Sequence, residues 1–157
     1  DSFLGLPIAA WIFVLMAVII YIILERTKYG TSIYAIGGNA TAAKVSGINV
    51  RLCNFMGYVI AGICTGVAAV VLTARMRSGN PSVGNAYEMD AITCVILGGA
   101  SFSGGSGKVV NTVFGALILG ILVNGMTMLQ IDSNLQSVVK GAVIVIAVFL
   151  DSRKRTD

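Results

Sequence analysis

Three stretches of this chain run without a single charge, at residues 2–24, 52–74 and 109–131, and each is 23 residues long. Within them apolar residues follow one another continuously instead of alternating. A helix of that length rises about 34 Å, enough to cross a hydrocarbon core of about 30 Å with some tilt. Lipid offers no water to the backbone, so only helices or closed barrels can span it, and continuous apolar runs exclude barrel strands. The pattern predicts three transmembrane helices.

Two further segments are apolar but less regular. Residues 91–107 carry no charge, yet their second half, GGASFSGGSG, is too rich in glycine for a stable full-length helix. The expectation is a short helix over residues 87–99 that breaks into a loop, either crossing inside a protein bundle or dipping in as a re-entrant segment. Residues 135–150 form a short last run containing Lys140, whose long stem lets its ammonium snorkel to the nearer interface. The fold class expected is all-α, a polytopic transmembrane bundle of about five segments. Residues 1–157 read as one membrane domain, with a loop at 25–51 inside it.

Composition sharpens this picture. Charged residues make up 11% of the chain, against about 25% in an average soluble domain. Too few charges remain to build a water-facing surface, which excludes a soluble domain, a disordered tail and a nucleic-acid binder. There is no His, which removes a Ser-His-Asp triad and any His-bearing zinc site. Cys53, Cys64 and Cys94 each stand in an apolar stretch without CxxC spacing, as small buried hydrophobes do. No catalytic, metal-binding or cofactor-binding set emerges.

The distribution of the basic residues fits membrane topology. If five segments cross in alternation, Arg26, Lys28, Lys44, Arg51, Lys108, Arg153, Lys154 and Arg155 share one face, while Arg75 and Arg77 fall on the other beside Glu88 and Asp90. The positive-inside bias then places the 25–51 loop and the tail in the cytoplasm. Residues 1–24 lack the basic n-region and small-residue cleavage site of a signal peptide, and no initiating Met is present. The expectation is the carboxyl-terminal part of a longer protein.

The cytoplasmic loop ERTKYGTSIYAIGGNATAAKVSGINVR far exceeds the usual 2–8 residues between helices and is not low in complexity. Asn39 is a good N-cap and Gly47 a good C′ residue around a short helix at 40–47. Ala40, Ala42, Ala43 and Ser46 give that helix small side chains, with Lys44 its one charge. So short a helix is marginal in water and needs something to pack on. It is either a cap tucked against its own bundle or a rigid knob offered to a cytoplasmic partner.

Here a resemblance becomes specific. The loop resembles the cytoplasmic coupling segment of permease subunits of bacterial simple-sugar ABC importers, the ribose, galactose, xylose and autoinducer-2 group. The positions that match the family pattern are Gly30, Ile33, Ala35, Gly37 or Gly38, Asn39, Ala42, Ala43, Gly47 and Ile48. A second run, VGNAYEMDAITCVILGGASFSGGSGKVVNTVFGALILG, is similar to the same family at Gly84, Tyr87, Glu88, Asp90, Ala91, Ile92, Val95, Gly98, Gly99, Gly104, Gly105 and Gly107. It departs at Met89, Thr93 and Cys94, and at Asn111, where the family usually has Gly and helices pack closely after the glycine loop. The resemblance covers about residues 26–151, the later half of a typical member.

The resemblance implies a permease subunit forming a translocation path in the bacterial inner membrane, not an enzyme in itself. Its partners would be ATP-binding cassette subunits, a second permease subunit (identical or not), a periplasmic sugar-binding protein and membrane lipid. Gly38, Asn39, Ala42, Ala43, Gly47 and Ile48 would dock into a groove of the ATPase and carry its closure to the membrane helices.

Read for their own chemistry, Gly98, Gly99, Gly104, Gly105 and Gly107 permit tight helix crossings and a flexible break. Gly107-Lys108 is no phosphate loop, because Phe102 stands where that pattern needs Gly and Val109 where it needs Ser or Thr. Glu88 and Asp90 read as a solvated or ion-paired rim at the outer interface, near Arg75 and Arg77. The rival reading is a secondary transporter or channel in which Glu88, Asp90 and Lys140 couple ion movement. Ala61, Thr65, Ala69 and Thr73 recur at i+4 beside a Gly62–Gly66 GxxxG, a small-residue stripe for close helix contact. Gly115, Gly120 and Gly125 recur at five residues, a spacing that defines no single face. Asn124, polar and mid-helix, needs a partner or lines a path.

Overall fold

The computed structural model describes residues 2–3, 6–79, 84–101 and 104–153. Leu4, Gly5, Phe102, Lys154 and Arg155, on which parts of the sequence reading rest, lie outside them. The described residues form an all-α membrane protein, with seven helices among them and one two-residue strand ladder. Three helices, Ile8–Arg26 (α1), Val50–Met76 (α4) and Val109–Met128 (α6), are long and apolar enough to cross a membrane. They coincide with the three uncharged runs.

The helices group into two compact units, Asp1–Val83 and Gly84–Asp157. The first begins with β1 (Ser2–Phe3) and β2 (Leu6–Pro7), paired antiparallel with Ser2 opposite Pro7 and Phe3 opposite Leu6. This corrects the expectation of a helix from residue 2. Pro7 has no amide hydrogen and bars the residue before it from helical backbone, so α1 starts only at Ile8. After α1, extended Thr27 breaks the chain, and α2 (Lys28–Gly38), α3 (Ala40–Val45) and α4 follow. The α2 helix packs on α1 and α4, and α3 packs on α2 and α4. Neither α1 nor α4 fully buries a residue within this unit. The stripe of Ala61, Gly62, Thr65, Gly66, Ala69 and Thr73 on α4 is exposed, and nothing lies within 4 Å of where a Cβ on Gly62 or Gly66 would stand.

The second unit is α5 (Tyr87–Leu97), α6 and α7 (Ser133–Arg153), with α5 packed against both of the others. At 1.5 Å per residue the 11 residues of α5 extend about 16 Å, half a hydrocarbon core. Thr93 and Ile96 are its buried residues, and Asp90, Cys94 and Leu97 are half-buried on the same side, as in a helix covered on one face. Thr93, at 1% exposure, returns its hydroxyl to the Met89 carbonyl at 2.6 Å, so its burial leaves no bare donor. The expected break after residue 99 occurs there: Gly99 takes φ +75, with Gly99 N–H donating to Ile96 O and Ala100 N–H to Val95 O. That is the paired-bond glycine ending that satisfies the last carbonyls of a helix.

Glycine lets α5 and α6 touch backbone to backbone. A Cβ on Gly98 would stand 2.6 Å from the Asn111 carbonyl oxygen, and one on Gly115 would overlap the carbonyl of Cys94. Asn111, where the resembled family usually has Gly, leaves this close approach in place. Its side chain is exposed, and Gly98 supplies the missing volume from the opposite helix. Gly120 and Gly125 have nothing within 4 Å, so of the five-residue glycine series only Gly115 meets a neighbour.

The two kinds of α6 glycine therefore respond oppositely to one methyl group. Gly115→Ala forces rigid backbone apart and is expected to cost about 1–3 kcal/mol. Gly120→Ala gains up to about 1 kcal/mol of helix propensity. Thermal unfolding of the two purified variants in the same detergent measures the difference, and equal melting temperatures would contradict this packing.

Candidate functional site

The 25–51 segment folds around one residue. Asn39 has extended backbone (φ −157, ψ 101), and its N–H donates to Ala35 O at 3.0 Å, closing α2. Its side-chain Oδ1 accepts from Ala42 N–H at 3.0 Å and its carbonyl from Ala43 N–H at 3.0 Å, opening α3. One side chain thus ends a helix and caps the next. At the far end Gly47 takes φ +83, with Gly47 N–H donating to Lys44 O and Ile48 N–H to Ala43 O, both at 3.1 Å. Two residues later Asn49 Oδ1 accepts from Leu52 N–H at 3.1 Å and starts α4. Six residues of helix are thereby pinned at both ends, as the Asn39 and Gly47 pattern predicts.

The small residues of α3 divide by direction. Ala43 is 4% exposed and turns inward, whereas Gly38, Asn39, Ala42 and Gly47 are exposed and Ile48 is half-buried. Val45, which sequence reasoning passes over, is 85% exposed. Lys44 stands beside it, and Arg26, Lys28 and Arg51 are exposed on the same segment, against one acid, Glu25. The exposed residues of α3 include the apolar Ala42 and Val45, on a segment whose exposed charges are mostly basic.

Sequence reasoning also misses what carries α3. The expected loop before Asn39 is a helix, α2, although three glycines within KYGTSIYAIGG lower its propensity. Tertiary contact overrides them. A Cβ at Gly30 would overlap the Leu24 backbone, so glycine alone lets α2 fold against the end of α1. Tyr29 Oη donates to the Cys53 carbonyl on α4 at 3.1 Å, and a Cβ at Gly57 would lie 3.3 Å from that hydroxyl. Burial, and then the Cys53 thiol, push the Tyr29 phenol above its ordinary range, so it remains a protonated donor. A signal for α2 exists in the sequence: Gly30, Ile33 and Gly37 fall on the covered side at helical spacing.

In the second unit Gly99, Gly104 and Gly105 adopt left-handed backbone. Gly104 and Gly105 take φ +88 and +79, Ser101 N–H donates to Ser106 O, and Gly104 N–H donates to Ser101 O. A Cβ at Gly107 would be 2.9 Å from that of Ala100. The acids separate. Glu88 is exposed in the first turn of α5, whereas Asp90 faces α7 and meets Lys140, with Nζ at 2.7 Å from Oδ1 and 2.9 Å from Oδ2. Of the two expectations for Asp90, solvated or ion-paired, the structure has the ion-paired one, with Lys140 as the partner. Asn124 is exposed on α6.

A family model described as "Branched-chain amino acid transport system / permease component" matches residues 1–148. Among curated proteins the chain is 48% identical over 152 residues to the ribose import permease protein RbsC of Bacillus subtilis (strain 168), covering 97% of this chain and 47% of that protein. It is 37% identical over 155 residues to the xylose transport system permease protein XylH of Haemophilus influenzae, covering 99% and 41% respectively. It is 39% identical over 150 residues to the D-allose transport system permease protein AlsC of Escherichia coli (strain K12), covering 96% and 46%. The chain spans about half the length of these relatives. No solved structure matches it. Three helices fit to span lipid, the capped 25–51 segment and similarity along nearly the whole chain converge: this is a multi-pass membrane protein that belongs to the permease components of ABC transport systems.

Proposed function

We propose that this chain serves as a membrane permease subunit of an ATP-driven importer of a simple sugar in the bacterial inner membrane. Relatives named for ribose, xylose and allose support a neutral, hydroxyl-rich monosaccharide as solute. In this reading the chain hydrolyses nothing. It pairs with a second permease subunit, receives sugar from a periplasmic binding protein and takes its motion from two cytoplasmic ATP-binding cassette subunits.

The single observation that carries the reading is α3. A six-residue helix pinned by Asn39 and Gly47 has no reason to exist in water alone. Its inward Ala43 seats it on α2 and α4, and its outward Ala42 and Val45 are free to enter an apolar groove. The basic residues around it accord with the cytoplasmic side. Closure of the ATPase pair would then push α3, and through the four residues before Val50 would tilt α4, biasing the bundle between inward- and outward-open states.

Three outcomes follow. With the native cysteines replaced, Lys44→Cys is expected to react with a membrane-impermeant maleimide in inside-out vesicles and not in right-side-out ones. Labelling from the outside would sink the cytoplasmic assignment. Val45→Asp, which puts a charge in the middle of an apolar contact, should cut uptake of labelled monosaccharide and co-purification of the ATPase by about tenfold or more, with unchanged membrane levels. Asn39→Ala removes a cap worth about 0.5–2 kcal/mol and should weaken both, while Asn39→Asp preserves them. Retention of uptake in Val45→Asp alongside its loss on neutralising Glu88 would favour an ion-coupled carrier.

A further inference from the structure

Away from α3, the one place among the described residues where charge bridges two helices is Asp90 on α5 and Lys140 on α7. Its depth follows from how α5 lies on α6. The two run antiparallel, because Gly98 abuts the backbone at Asn111 and Thr112 while Gly115 abuts Cys94. One turn from Cys94 toward the start of α5 stands Asp90. One turn from Gly115 toward the end of α6 stands Leu119, at 4% exposure. Leu119 is in the middle of the 20-residue α6, about 15 Å from either end. In a spanning α6 that level is the interior of the bilayer. An ionised side chain there is costly unless it is paired or faces water.

The two ends of α5 are held by different means. Its carboxyl end is locked by backbone contact through Gly98 and Gly115 and by the Gly99 turn. Its amino end has no side-chain cap. Ala86 precedes it in left-handed backbone (φ +67), and Tyr87, Glu88 and Met89 are exposed. Asp90 is the first residue of α5 that ties it to a neighbour, and it does so with both carboxylate oxygens. The side chains of Lys140 and Asp90 keep only 21% and 30% of their surface exposed.

We propose that Asp90 and Lys140 form an ionic clamp at mid-membrane that positions the short helix α5 between α6 and α7. Its work is the mutual neutralisation of two charges, so either side chain could occupy either helix. Neither residue is asked to bind solute or to give up a proton. The proposal rests on the chain's being a membrane permease and on nothing about which solute or ATPase it meets. A failure at α3 therefore leaves it standing, and the reverse holds as well.

The test uses the protein at its full encoded length in native membranes, with three readouts: the amount surviving detergent extraction as a monodisperse species, uptake, and cross-linking of cysteines at 90 and 140 by a short bifunctional thiosulfonate. Asp90→Asn and Lys140→Met each strand one charge and should lower surviving protein or uptake by about tenfold or more. The exchange Asp90→Lys with Lys140→Asp, or the uncharged pair Asp90→Leu with Lys140→Met, should return both to within about threefold of the parent. The cysteine pair should cross-link in the otherwise cysteine-free protein. Single variants that match the parent, double variants no better than the singles, or absence of the cross-link each overturn the clamp. Rescue of protein amount but not of uptake by both pairs would assign the charges to ion coupling and overturn it equally.

Discussion

Every backbone group that lipid surrounds must find its hydrogen-bond partner inside the protein, and that requirement governs where this chain is allowed to bend. Several of the described breaks between helices come with a closing device. Asn39 and Asn49 lend side-chain oxygens to exposed amides at the starts of α3 and α4. At the ends of α3, α5 and α6 the carbonyls are closed by paired bonds around a left-handed residue: Gly47, Gly99 and, unusually, Gln130, with Gln130 N–H to Thr127 O and Ile131 N–H to Met126 O. A non-glycine residue in that conformation costs about 1–2 kcal/mol.

Once the breaks are closed, association depends on how near two backbones can come. Apolar burial gives little drive between helices that lipid solvates equally well, so van der Waals contact and polar ties decide. Glycine marks the places where this occurs. Gly30 admits the end of α1, Gly57 makes room beside the Tyr29 hydroxyl, and Gly98 and Gly115 mesh α5 with α6. Polar ties add to these contacts. The Tyr29–Cys53 bond joins α2 to α4, and the Asp90–Lys140 pair joins α5 to α7.

Charge spacing makes the long helices legible, because an uncharged run of 23 residues in a chain so poor in charge has one physical solution. The caps at Asn39 and Gly47 are legible for a similar reason: each is a local event whose donor and acceptor lie within a few residues. What escapes is non-local. Gly30, Gly37 and Gly38 argue against a helix on propensity, and only the Leu24 backbone and the Tyr29 bond across to α4 reverse that preference. Lys140 and Asp90 stand 50 positions apart, and no periodicity connects them. The α1 start differs from expectation for the opposite reason, since a count of charges is blind to Pro7. The outward turn of Val45 and inward turn of Ala43 depend on which side of a six-residue helix has a floor beneath it.

The arrangement also bears on how force could pass through the first unit. A knob on a slack loop would absorb a push. Here the linker from α3 to α4, residues 46–49, is bound at every step: Ser46 N–H and hydroxyl to Ala42 O, Gly47 N–H to Lys44 O, Ile48 N–H to Ala43 O, and the Asn49 carbonyl to Cys53 N–H. Behind α3, α2 is tied to the same helix through Tyr29, four residues inside the start of α4. The Tyr29 phenol stays protonated, so this tie holds at any pH a cell maintains. Two attachments about a turn apart transmit rotation as well as thrust, because a helix held at two points cannot pivot about one. On the proposed function, α2 belongs to the lever as much as α3 does, and the coupling device extends back to Lys28.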